Sequence, residues 1–182
     1  MDSTTPDEVL RFWFEDIEPK QWWAVDPALD ASIRSRFGTL LTQAVAGELS
    51  AWRATARGRL AEIIVLDQFS RNVHRGTPGA FAQDPQALAL AQEAVRSGSL
   101  AALGDIERAF MLLPYMHSES RRIHAEAEAL YREFAPRENY EFELRHKAII
   151  DRYGRYPHRN AILGRKSTEE EFAFLSTPGS SF

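Results

Sequence analysis

The stretch LAEIIVLDQFSRNVHR, residues 60–75, constrains the fold more than any other part of the chain. Read as a helix, it places Leu60, Ile63 and Ile64 on one face, and the same row runs on into Asp67, Gln68 and Arg71. Ala61, Val65, Leu66 and Phe69 cover most of the remaining surface, which leaves Glu62 as the only polar side chain in residues 60–66. A helix that is apolar nearly all round belongs in the middle of a protein. Its inner end is charged, however, and an unpartnered carboxylate or guanidinium there costs several kcal/mol. That is comparable to the gain of about 1.5–3 kcal/mol from burying each large apolar neighbour. Asp67 and Arg71 must therefore meet partners, so the stretch marks a buried polar site without naming a reaction.

The flanking sequence supplies more helices. Thr5, Pro6 and Glu8 give an N-cap, an N1 proline and a capping-box acid, followed by Val9, Leu10, Trp13 and Phe14. Pro19 ends that helix, and the rings of Trp22 and Trp23 are expected to plug against the core. Asp26-Pro27 opens a long amphipathic helix that closes near Gly47, and Asp84-Pro85 opens another that closes near Gly98. AVAGELSAW at 44–52 resembles AVRSGSLAAL at 94–103, a match too short to establish a repeat. A further helix over 106–113 is expected to kink or break at Pro114 and to resume beyond it, with Ser118 as an N-cap, until Pro136. The next helix runs to Gly154, and Ser167 with Glu170 reads as a capping box for a last short one. No segment alternates with period two. The expected fold is all-α with about eight helices, a single domain over residues 1–175 and a mobile tail over 176–182.

Three polar clusters interrupt this pattern. The first is Asp67, Gln68, Arg71, Asn72, His74 and Arg75, in which Asp67 and Arg71 stand four residues apart with the acid first, the favourable order for a helical pair. The second is His117, Ser118 and Glu119, just after Pro114. The third runs from His146 and Lys147 through Asp151 to Arg155, His158, Arg159, Asn160 and Arg165, the most basic part of the chain. Each has a structural reading, as an ion pair, a cap or a solvated basic end, beside a functional one.

Composition narrows the chemistry. The chain has no cysteine, which excludes disulfides, a thiol nucleophile and any Cys-ligated metal. The net charge of −4 does not favour nucleic acid or anionic lipid. The N-terminal MDSTTPDEVLRFWFEDIEPK lacks a basic leader and is interrupted by acids, so neither a signal peptide nor a membrane span is expected, and a cytoplasmic setting is. HExxH, GxSxG, the Walker P-loop and GxGxxG are all missing. His117 and Glu119 are ligand-like residues, but further ligands are not fixed by spacing, so no metal and no cofactor is assigned.

Taken in order, VLRFWF, GELSAW, LAEIIVLDQFSRNVHRGTPGAFAQDPQAL, LLPYMHSE and HKAIIDRYGRYPHRNAILGRKSTEEE resemble the bacterial family known as domain of unknown function nine-two-four. The resemblance implies an all-α, tetratricopeptide-like arrangement and brings no established activity. It places Asp67, Gln68, Arg71 and Asn72 in one motif, His117, Ser118 and Glu119 in a second, and Gly154, Arg155, Pro157, His158, Arg159 and Asn160 in a third. His74 departs from the pattern and is not carried over.

The reading that follows is a helical protein whose clusters meet in a pocket for a small anionic ligand, a carboxylate or a phosphate. The candidate ligand-binding residues are Asp67, Gln68, Arg71, Asn72, His117, Glu119, Arg155, His158, Arg159 and Asn160, with no catalytic residue assigned. Several arginines converging with few obvious acidic partners motivate the anion. The alternatives are a tetratricopeptide-like module that holds a peptide, and clusters that only knit helix ends together. Oligomeric state is not fixed by the sequence.

Overall fold

Thr5 caps the first helix as its neighbours require. In the computed structural model, which describes residues 4–181, its hydroxyl accepts from the Glu8 backbone N–H while the Glu8 carboxylate accepts from the Thr5 N–H at 2.7 Å. Helix α1 (Pro6–Arg11) widens into a π turn, Phe12–Asp16, and a 3₁₀ turn, Pro19–Trp22, leads on. Helix α2 (Pro27–Val45) is capped by the Asp26 carboxylate, which accepts from the N–H groups of Ala28 and Leu29. Helix α3 (Ala56–Ile64) passes through a second π turn, Val65–Phe69, directly into α4 (Ser70–Val73), so residues 56–73 form one continuous rod. Then follow α5 (Asp84–Arg96), α6 (Asp105–Met116), α7 (Arg121–Phe134), α8 (Arg137–Tyr153) and α9 (Glu169–Leu175). The nine segments are eight when α3 and α4 are taken together, with no strand among the described residues, as the all-α reading expects. Phe182, the last residue of the expected tail, lies outside the described residues.

The central rod is buried on every side: residues 60–70 are all sequestered from solvent. Phe69 packs against Phe12, Trp13 and Phe37 with ring centroids 6.1, 5.7 and 5.0 Å away. Trp13 also meets Phe110, and Trp22 and Trp23 both close on Phe110, although Trp23 leaves 61% of its surface exposed. Glu62, the lone polar residue on the upper rod, is buried and takes two bonds from Arg53, at 2.8 and 2.7 Å. The pair has the bidentate geometry that makes a buried carboxylate tolerable. A second, smaller cluster consists of Ile149, Ile150 and Tyr156, with Tyr153 and Phe174 against it.

The two similar segments share a local design. Gly47 and Gly98 each leave a helix in the left-handed conformation, at φ +77° and +73°, and a 3₁₀ turn follows each, Ser50–Ala54 and Ser99–Ala102.

Three local expectations are corrected. Pro114 does not break its helix, because α6 continues to Met116. A proline near a helix end removes only one hydrogen bond, and Leu112, Leu113, Tyr115 and Met116 around it are all buried. The cap of α7 is Ser120, whose hydroxyl accepts from the Ile123 N–H, and not Ser118. The capping box of α9 is Thr168 with Glu171, one residue beyond Ser167 and Glu170, since Ser167 accepts from Asn160 and Glu171 is drawn to Arg155.

Candidate functional site

The π turn puts Asp67 at the buried end of the rod, where a widened helical turn is a frequent device for aiming a polar side chain inward. Its carboxylate accepts from Gln68 Nε2 at 2.6 Å, from Arg71 Nη1 at 3.1 Å and from the Nδ1 of His117 at 2.7 Å. Burial on its own raises the Asp67 carboxyl. Arg71, followed by His117 and Gln68, outweighs it and holds the group well below the usual carboxylate range. His117 is lowered as well: burial first, then Arg71, push it down against the pull of Asp67, which favours the neutral ring at pH 7.

Arg71 reaches past Asp67 to Asp84, with Nη1 and Nη2 at 2.9 and 3.1 Å from its two oxygens. Asp84 is the first residue of α5, but unlike Asp26 it makes no cap bond and gives its carboxylate to arginines instead. Arg159, on the 3₁₀ turn Pro157–Arg159, donates to the same carboxylate at 3.1 Å and to the His117 carbonyl at 3.1 Å. Its guanidinium lies 4.5 Å from the Phe81 ring centroid and 4.7 Å from that of Tyr156. The three sequence clusters thus do meet, and the bridge between them is Asp84.

Behind this junction a second network anchors the 155–171 segment. Glu119 accepts from the Tyr156 N–H at 2.7 Å and from Arg165 at 2.7 and 2.9 Å. Burial raises its carboxyl, but Arg165 and the Tyr156 N–H bring it below the usual range. Tyr156 donates its hydroxyl to the Met116 carbonyl and stands among His124, His146 and His158, with ring centroids 6.2, 5.9 and 5.6 Å away. His124 binds Glu143 at 2.7 Å and the Ser118 carbonyl at 2.8 Å. Burial, opposed by the Phe142 carbonyl, pushes His146 down to about 3, and burial with Arg159 pushes His158 down to about 4.

A cleft of 360 Å³ opens where α5, the end of α6 and the 157–163 segment approach. Phe81, Ala82, Pro85, Leu88, Pro114 and Leu163 form apolar walls, and Asp84, His117, Ser118, Glu119 and Arg159 supply the polar lining. Of the residues expected at a site, His117, Glu119 and Arg159 line the cleft, and Asp67, Gln68 and Arg71 stand behind His117. Asn72 turns away to Asp30, which also takes two bonds from Arg75. Arg155 pairs with Glu171, Asn160 bonds Ser167 and Glu171, and His158 packs on Tyr156 outside the lining.

The expectation of arginines short of acids is corrected. Arg71 has Asp67 and Asp84, Arg155 has Glu171, Arg159 has Asp84 and Arg165 has Glu119. The Asp84 to Arg159 pair spans 75 residues and the Glu119 to Arg165 pair 46, separations at which sequence gives no pairing signal. Asp84 was missed because an Asp-Pro pair at a helix start reads fully as a cap, and Phe81 because the Arg159 it meets lies far along the chain. Among the described residues no group of three or more His, Asp or Glu is placed to hold a metal ion. None of the described helices is long and apolar enough to cross a membrane.

The family described as bacterial protein of unknown function (DUF924) matches the chain over residues 9–179. A solved structure, of the protein of unknown function ATU0120 from Agrobacterium tumefaciens, is 34% identical in sequence. The match covers 94% of this chain and 96% of that one, with a TM-score of 0.89. No curated protein matches the chain.

Proposed function

The chain belongs to the DUF924 family of bacterial proteins of unknown function, and from that premise we propose that its cleft holds a small monocarboxylic acid with an apolar body. The observation that carries this reading is Arg159. It is a cation in an apolar-walled cleft, and Asp84 and the His117 carbonyl use two of the five N–H bonds a guanidinium carries. Its remaining Nη donors and the Ser118 hydroxyl suit a carboxylate head, its Nε being buried, while Phe81, Leu88, Pro114 and Leu163 suit a hydrocarbon tail.

Charge favours a carboxylate over a phosphate. Arg71, Arg159 and Arg165 face Asp67, Asp84 and Glu119, so with His117 neutral the ionised groups of the site cancel. A dianion leaves twice the uncompensated charge of a monoanion in this half-enclosed space. The test is thermal stability with aliphatic acids of increasing length and with inorganic phosphate. The acids raise the melting temperature, longer ones more, and phosphate does not. Ala82→Trp, at an exposed position on the cleft wall, removes the response and leaves the melting temperature of the protein alone unchanged. Equal silence toward all the acids sinks the proposal.

The order in which α6, α7 and α8 pack, each on the next, favours a second reading, a helical module that holds a peptide. A peptide ligand recovered from binding selections and insensitive to Ala82→Trp would support that reading instead.

A further inference from the structure

The histidine at the inner end of the cleft is fixed from two sides. Asp67 takes Nδ1 at 2.7 Å, and the His117 carbonyl is held by Arg159 at 3.1 Å. An ionised carboxylate can only accept, so Nδ1 carries the proton and Nε2 keeps its lone pair. Because His117 lines the cleft with Nδ1 already engaged, Nε2 is the nitrogen it offers there. A carboxylate that sets the tautomer of a histidine and compensates the charge it gains on protonation is the standard support for a general base. A purely structural histidine needs no such orientation toward an open cleft.

We propose that His117 is a catalytic base that enolises a 2-oxo acid bound in the cleft, with Asp67 as its positioning residue. The proposal rests on the carboxylate-binding reading above. In the step, the C3–H bond of the substrate breaks and its proton moves to His117 Nε2. The electron pair of that bond becomes the C2=C3 double bond, and the carbonyl π pair moves to oxygen as an enolate. Return of the proton from the imidazolium to C3 regenerates the ketone, so no other reactant is consumed. The charges explain why this chemistry suits the site. Proton transfer turns a neutral ring and a neutral carbonyl into a cation and an anion, and each finds its opposite in place: Asp67 behind the ring, Arg159 beside the substrate.

The experiment follows loss of the C3 protons of 2-oxobutyrate and phenylpyruvate in deuterated water by proton NMR, beside thermal-shift binding of the same acids. Wild type exchanges them at least about 100-fold faster than buffer. His117→Gln, which keeps a polar side chain but has no basic nitrogen, folds and binds but exchanges at the buffer rate. Asp67→Asn slows exchange and moves the acidic limb of the pH–rate profile. That limb belongs to His117 among Asp67, Arg71, Asp84, Arg159, His146 and His158, and Asp67→Glu restores part of the rate. Binding without accelerated exchange, or exchange untouched by His117→Gln, overturns the catalytic assignment and leaves the binding reading standing. Neither binding nor exchange by any of the acids overturns both.

Discussion

The two ends of the molecule are held together by different physics. Around the central rod, Phe12, Trp13, Phe37, Phe69 and Phe110 pack ring against ring, and the one buried acid on the upper rod, Glu62, is neutralised locally by Arg53. Around Tyr156 the apolar cluster is only Ile149 and Ile150 with Tyr153 and Phe174, and the segment from 154 to 171 is tied down by Glu119, Arg165, Asn160, Glu171 and Arg155. Aromatic packing is indifferent to pH and tolerant of small shifts, whereas charged hydrogen bonds are directional and titrate. The cleft lies where the two regimes meet. Its wall at His117 is braced by the rod, while Arg159 and Glu119 belong to the polar assembly. A site built this way has one rigid side and one side that can respond to its surroundings.

The largest expected effect falls on the aromatic side. Phe69→Ala removes a ring that touches three others and leaves a cavity at the middle of the rod, at a cost of about 3–5 kcal/mol. Urea unfolding at pH 7 measures it, and the loss is the same at pH 5.5 because no titrating group is involved. A loss that grows on acidification breaks the division between the two regions.

The second effect belongs to the polar side and is read as pH dependence. Histidines in an unfolded chain titrate near about 6.5, whereas folded His146 and His158 resist protonation down to about 3 and about 4. Between those limits the unfolded state binds more protons, so stability is fully present above about pH 6.5 and is lost as pH falls. His117, also lowered, acts in the same sense. The lowered carboxyls of Asp67 and Glu119 add to the loss as pH falls below about 4.5. Glu143, raised by burial, acts in the opposite sense above that point, where the folded state keeps a proton the unfolded chain has lost, and offsets part of the histidine effect. The expected loss between pH 6.5 and 4.5 is on the order of a few kcal/mol. Hydrogen exchange across that window should show α8 and residues 154–165 losing protection before α1 and α3. Simultaneous loss in both regions means that the polar assembly is not a separate unit.

Much of this contrast was legible in the sequence, and the limits of legibility have a physical pattern. Helix ends written in the backbone were readable: Thr5, Pro6, Asp26, Gly47, Gly98 and Gly154 all act where their chemistry requires. The buried rod was readable because its apolar residues run all round the helix, and its charged end announced itself by its cost. What was not readable was choice between local equivalents and pairing across long separations. Ser167 and Thr168 each have an acid three residues on, and the choice between them was made by Arg155 and Asn160, elsewhere in the chain. Asp26-Pro27 and Asp84-Pro85 are the same local signal, yet one aspartate caps its helix and the other joins two arginines. Only tertiary structure separates them.

The smallest effect sharpens the boundary itself, because the segment His117-Ser118-Glu119-Ser120 holds two serines in two different jobs. Ser120 caps α7 through its hydroxyl, so Ser120→Ala lowers stability by about 1 kcal/mol. Ser118 lines the cleft and lends the fold only its backbone, its carbonyl to His124 and its N–H to the Tyr115 carbonyl, both of which alanine retains. Ser118→Ala therefore changes stability by less than about 0.5 kcal/mol while weakening the thermal response to carboxylic acids. Urea midpoints and ligand titrations on the two variants give opposite orders of effect if the cleft is a binding site. If Ser118→Ala leaves every ligand response intact, the hydroxyl has no part in holding a carboxylate head, and Arg159 must hold it without help from the α6–α7 turn.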